Sequence, residues 1–189
     1  MKIAFLLISF CFSASLFAQN TNESYGAWSE PAGGMRARLI VAPGRKFSGI
    51  DYAKTYLEFQ NVENSLTSKQ ILPFELNCEL RTTGGKPAQR GGGPISSAVV
   101  PLPALVLPHD STLRINITGD GCTAHQSGGT FIYLQNGFKD QMWAIEKDDT
   151  SDYFLQGTFH IDKPKDFSTD GKRNWFGTLQ LPKVKIPRE

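Results

Sequence analysis

Cysteine, methionine, tryptophan and histidine are scarce in this chain, with three of each. That scarcity narrows the chemistry available. His109, His125 and His160 stand in the contexts PHD, AHQ and FHI, with no i, i+4 pair of the kind that grips a metal from one helix. Cys122 and His125 form a lone C-x-x-H. It needs two further ligands to make a structural zinc site and, as nucleophile and base, a third orienting group that its neighbours do not supply. An excess of one charge is also missing, since 20 Lys and Arg face 18 Asp and Glu. Such a balance provides no field to draw a nucleic acid backbone, and the single Arg90-Gly91-Gly92-Gly93 stretch does not alter that. The glycines around Lys86 lack the ordered G-x-x-x-x-G-K-[ST] of a phosphate loop. Neither a cofactor nor a metal is expected from these residues.

Long apolar runs are absent except at the start. Ile3 to Phe17 is apolar but for Ser9, Ser13 and Ser15, follows Lys2, and gives way to Ala18, Gln19 and Asn20. The run is shorter than the roughly 20 residues a bilayer span requires. A positive start, an apolar centre and a small residue before polar chain are instead the parts of a secretory leader. Residues 1–18 are therefore read as a signal peptide, 19–33 as an N-terminal extension and 34–189 as one β-sandwich domain, secreted or periplasmic, with no membrane span after cleavage. Phe10 stands where lipidation of Cys11 would need a small residue. The remaining chain, about 170 residues, can bury a substantial core without staples.

Cys11 leaves with the leader, so Cys78 and Cys122 remain. An even pair in an exported chain predicts a disulfide. It would close a loop of about 45 residues and stabilise the fold by roughly 4 kcal/mol in the chain-entropy model. Two separate buried thiols are the competing reading.

Period-two alternation marks the strands. Met35, Ala37, Leu39 and Val41 alternate with Arg36, Arg38 and Ile40. Leu57, Phe59 and Asn61 oppose Tyr56, Glu58 and Gln60 within 55–62. Phe74, Leu76, Cys78 and Leu80 alternate with Glu75, Asn77, Glu79 and Arg81. Residues 83–94, TGGKPAQRGGGP, show no apolar period and read as a flexible loop. Pro101 and Pro103 confine 98–107 to an edge or an irregular crossing. Leu113, Ile115 and Ile117 form another strand. Phe131, Tyr133 and Gln135 lead into Asn136-Gly137, the strongest short hairpin signal, and 138–145 returns, with a short helix over 139–147 as the rival. Trp175 to Ile186 reads as the last strand, with Pro182 at a bulge or edge.

In Asp149-Thr150-Ser151-Asp152-Tyr153-Phe154-Leu155, an Asp four residues before a Tyr resembles the tyrosine corner of immunoglobulin-like sandwiches, where the phenol bonds back to nearby backbone. Leu155 replaces the second immunoglobulin cysteine. Strand order and this corner together resemble the immunoglobulin-like and fibronectin-type-III-like class. More narrowly, GAWSEPAGGMRARL, NCEL and WFGTLQLPKVKIP are similar to uncharacterised exported bacterial β-sandwich domains, through Trp28, Leu107-Pro108, Trp175, Gly177, Leu179, Leu181, Pro182 and Val184. The resemblance implies an all-β, immunoglobulin-like antiparallel β-sandwich, a single domain with long Gly/Pro-rich loops. Its motifs are structural and bring no active site with them.

Trp28, Trp143 and Trp175, with Tyr25, Tyr133 and Phe176, are candidates for a ligand-facing aromatic platform, weighed against packing at the ends of the sandwich. Asp148, Asp149 and Asp152, and Asp162, Asp166 and Asp170, are acidic groups without EF-hand spacing. Asn22-Glu23-Ser24 and Asn116-Ile117-Thr118 are glycosylation sequons, inert in a bacterial setting. The expected function is an exported non-catalytic module that binds a protein or glycan, or serves an envelope structural role. The alternatives are a secreted hydrolase and a protease-inhibitor-like sandwich presenting the 83–94 loop.

Overall fold

The computed structural model describes residues 22–47, 49–71, 73–90, 104–119, 129–135, 140–163 and 174–188. The expected leader lies outside them, as do Asn136-Gly137 and residues 91–103. Every regular element among the described residues is a strand, so the chain is all-β. No helix of the described residues is long and apolar enough to cross a membrane.

The described residues start with a hairpin. Ala32 and Met35 exchange both backbone hydrogen bonds, at 2.9 and 3.0 Å. Between them Gly33 and Gly34 have φ of 53° and 74°, the pair of positive angles that a two-residue primed turn demands and glycine adopts freely. Strand β1 (Ser24–Tyr25) then lies antiparallel to β2 (Met35–Phe47), with Ser24 opposite Val41. Gly26 and Ser29 extend the pairing by donating to Leu39 and Ala37. The N-terminal extension, from residue 24 on, is thus part of the sheet rather than an appendage.

Strand β3 (Ile50–Asn61) pairs antiparallel with β2 along nearly its whole length. Its other edge is divided. Tyr56 to Gln60 pair antiparallel with β7 (Thr112–Asn116), while Ile50 to Tyr52 pair parallel with β8 (Gly129–Gln135), which turns antiparallel into β9 (Asp140–Ile145). The expected purely antiparallel arrangement is therefore corrected to a mixed sheet. The reason is geometric: β7 runs against β3, β8 runs against β7 through the Thr118–Leu134 bridge, and so β8 must run with β3 where they meet. At the fork, Thr118 Oγ1 accepts from the Thr55 N–H at 2.8 Å and donates to the Thr55 carbonyl at 3.2 Å. Residues 140–145 form the expected returning strand rather than the rival helix.

A second sheet has the order β11-β10-β5, from β5 (Glu75–Thr82), β10 (Tyr153–Ile161) and β11 (Gly177–Lys185), all antiparallel. Its register slips beside Pro182, since Gly157 faces Leu181 but Leu155 faces Val184. Two short strands, β4 (Lys69–Ile71) and β6 (Leu105–Leu107), pair apart from both sheets.

The alternating residues of both sheets converge on one core. Met35, Ala37, Leu39 and Val41 meet Leu57, Phe59, Leu76, Leu80, Leu155, Phe159, Leu179 and Val184, all buried. Phe59 meets Phe159 edge-on and Phe159 tilts against Trp175, with centroids 5.0 and 5.5 Å apart. Burial of each such side chain is worth about 1.5–3 kcal/mol relative to exposure, so this shared core is what holds the sheets together.

The gap between β5 and β9 is laced shut. Residues 83–90, expected to be a flexible loop, instead turn back along β5: the Thr82 N–H donates to Lys86 and the Ala88 N–H to Leu80, at 2.9 and 2.8 Å. Arg90 then bridges to Trp143 on β9. A turn at Gly85, with φ of 81°, permits this return, which apolar periodicity could not reveal because the segment covers an edge and contributes little to the core.

Candidate functional site

The three tryptophans do not assemble a platform. Trp143 and Trp175 are each only 2% exposed. The Trp175 indole lies against Gly33 and Gly177 and donates from Nε1 to the Ala32 carbonyl at 2.8 Å. Trp28 alone reaches the surface, half-buried on the outer side of β2, and two guanidiniums cover its ring: Arg36 at 4.9 Å and Arg38 at 4.3 Å from the centroid.

Those arginines belong to a ladder across β1, β2, β3 and β7. Arg38 pairs with the buried Glu58 at 2.5 Å, and Arg114 reaches Glu58 at 3.3 Å and Glu23 at 3.2 Å. Tyr25 donates to Glu23 at 2.5 Å, and Arg36 donates to Gln60 at 2.8 Å. The Tyr25 hydroxyl, followed by the Glu23 and Glu58 carboxylates, raises the Arg114 pKa above its ordinary value against the opposing effect of burial. Through the Arg114–Glu23 and Arg114–Glu58 pairs the ladder clasps the first strand to the sheet.

Tyr153 and Asp149 do come together. The phenol donates to Asp149 Oδ2 at 2.6 Å, and the Ser151 N–H donates to Oδ1 at 2.7 Å. The acceptor is thus the aspartate side chain, where the immunoglobulin corner uses backbone. The Tyr153 bond, ahead of the Ser151 bonds, holds the Asp149 carboxyl down at about 2, and the same bond together with burial pushes the phenol up to about 12. Arg188 ties the C-terminal segment to this turn by donating to the Ser151 carbonyl at 2.9 Å.

The expected Cys78–Cys122 disulfide is corrected: the Cys78 thiol is free and buried, and Cys122 lies outside the described residues. Cys78 points inward from the middle of β5 and fills the space opposite Gly157, where a Cβ would come within 2.7 Å of its Sγ. It packs as a small hydrophobe, and burial pushes its pKa up to about 12.

The histidines are dispersed. His125 is outside the described residues and His109 is half-buried beside β6. His160 on β10 contacts Thr178 Oγ1 through Nδ1 at 2.6 Å and Asp162 Oδ1 through Nε2 at 2.8 Å. This hydroxyl–imidazole–carboxylate chain lies open, with the Asp162 side chain 86% exposed. Among the described residues, no group of three or more His, Cys, Asp or Glu could hold a metal.

A groove of about 390 Å³ crosses the outer face of the second sheet, lined by Asn77, Glu79, Gln156, Thr158 and Gln180, with Gly157 and Leu181. Register builds it in rows. Asn77 and Gln180 both face Thr158 from the flanking strands, and Glu79 faces Gln156. Thr158 Oγ1 donates to Gln180 Oε1 at 3.0 Å, and Arg81 neutralises Glu79 at 2.8 Å. The amides of Asn77 and Gln156 make no side-chain hydrogen bond among the described residues. Sequence reasoning placed Asn77 and Glu79 on the solvent side of β5 but missed the site. The available signal was the concentration of amides and hydroxyls at alternate positions of three strands, which becomes a site only when their registers are known.

The chain matches no protein-family model, and no curated protein matches it.

Proposed function

We propose that this chain is an exported, non-catalytic module with an immunoglobulin-like sandwich fold that binds a protein or glycan through the outer face of β5, β10 and β11. The observation that carries the reading is the groove: the amides of Asn77 and Gln156, without a side-chain hydrogen bond among the described residues, are held in register on the sheet beside the Glu79–Arg81 pair. A few polar groups fixed in a concavity are what orient a ligand. Export is supported by the leader-like residues 1–18, and the immunoglobulin-like class by the Tyr153–Asp149 turn and by two sheets around one core.

A secreted hydrolase is the second reading, and the Thr178–His160–Asp162 chain favours it. Against it, a catalytic imidazole of this type is oriented by a buried carboxylate, and Asp162 is open to water. Both readings are separated by incubating the mature protein with extracellular polysaccharides and proteins while measuring co-sedimentation and product release together. The proposal expects retention without new chain ends. Turnover that disappears in His160→Ala establishes the hydrolase instead.

A further inference from the structure

We infer that the groove on β5, β10 and β11 takes a neutral oligosaccharide, an inference that rests on the binding reading and names its ligand class. Its chemistry is that of hydrogen bonding without net charge. Asn77, Thr158 and Gln180 form one row across three strands, and Glu79 and Gln156 form the next. Neighbouring strands lie about 4.8 Å apart and same-face residues about 6.8 Å apart along a strand. The result is a grid of planar amides and a hydroxyl, each able both to donate and to accept. A sugar presents hydroxyls that also do both, at closely spaced positions on a stiff ring, so one amide can serve two neighbouring hydroxyls.

Among the residues that line the groove only Glu79 is charged, and it is paired, so a charged ligand has no counterpart within the groove itself. Glu79 is paired with Arg81 at 2.8 Å, Lys185 with Asp152 at 2.8 Å, and the Lys183 ammonium sits 5.0 Å from the centroid of the Phe154 ring. Desolvating an ion within the groove would leave it uncompensated. A protein partner is also disfavoured. The centres of protein interfaces are rich in tryptophan, tyrosine and arginine, none of which lines the groove. An added peptide strand would use a sheet edge, whereas these groups project from the face.

The test follows the side-chain NH₂ signals of Asn77, Gln156 and Gln180 in the nitrogen-15-labelled mature protein. The probes are neutral cello-, malto- and N-acetylchito-oligosaccharides, an oligogalacturonate, and poly-lysine and poly-glutamate peptides. The expected result is a saturable shift of the three signals with at least one neutral oligosaccharide, little changed by salt. Asn77→Ala and Gln156→Ala should each weaken binding roughly threefold to tenfold with an unaltered melting temperature. Movement with the oligogalacturonate or a peptide alone overturns the neutral-sugar inference and leaves the binding face standing. Three signals that stay still with every probe overturn both.

Discussion

Gln141 on β9 is bonded to the backbone of Cys78 on β5: its Oε1 accepts the Cys78 N–H at 2.7 Å, while its Nε2 donates to the neighbouring Leu76 carbonyl at 2.6 Å. One buried side-chain amide thereby does what a strand would do, satisfying a donor and an acceptor on an edge that the second sheet leaves open. Residues 86–90 cover the next stretch of that edge.

Gln141→Ala would leave the Cys78 N–H buried without its acceptor and would take one donor from the Leu76 carbonyl. With an unpaired buried donor costing about 1–3 kcal/mol, the expected loss of stability in urea unfolding is of that size. Hydrogen exchange supplies a local check, because the Cys78 amide should exchange faster in the variant. An unchanged Cys78 amide would show that Gln141 does not close this edge.

The Tyr153–Asp149 bond predicts two pH limbs. The Asp149 carboxyl is lowered from 3.8 to about 2, so its stabilising contribution is complete above the unfolded value and is lost as pH falls from near 4 toward 2. The phenol is raised from 10.0 to about 12, so its contribution is complete below pH 10 and is lost as pH rises toward 12. In Tyr153→Phe the melting temperature should depend less steeply on pH in both windows. Parallel curves for the two proteins would contradict the assignment.

Arg38→Ala takes the closest cation from the buried Glu58 and, among the described residues, leaves Arg114 at 3.3 Å. A buried carboxylate with half its partners should cost of the order of 1–3 kcal/mol. The change should also loosen the first strand, so limited proteolysis near Trp28 is expected to quicken. Equal stability and equal cleavage would make the ladder a surface ornament.

The free Cys78 thiol should resist alkylation in the folded protein and react once it is unfolded without reductant, as read by peptide mapping. With its pKa near 12, almost none of it is thiolate at neutral pH. A Cys78 that stays unlabelled after unfolding would restore the disulfide.

Much of the fold was legible because alternation reports directly which side of a strand meets the core. Met35, Ala37, Leu39 and Val41 and the residues from Phe74 to Leu80 are buried or exposed as their pattern dictates, whereas Ile40, placed with the arginines, is buried as well. The first hairpin was written in Gly33-Gly34 but went unread, since the polar residues before it have no apolar period. Elements that serve an edge escaped for a related reason: 83–90 and Gln141 satisfy backbone groups, a task that leaves no mark on hydropathy. The parallel β3–β8 contact and the groove depend on which strands become neighbours, and local pattern carries no such information. The disulfide expectation failed because counting cysteines says nothing of where Cys78 points.

The most direct measurement of the central claim compares three proteins in one binding assay against extracellular polysaccharide and protein: the wild type, the Asn77→Ala/Gln156→Ala double variant, and Arg36→Ala from the opposite face. The account predicts saturable binding by the wild type and Arg36→Ala, weakened roughly tenfold or more in the double variant at equal melting temperature. Equal binding by all three, loss in Arg36→Ala alone, or binding by none would contradict it.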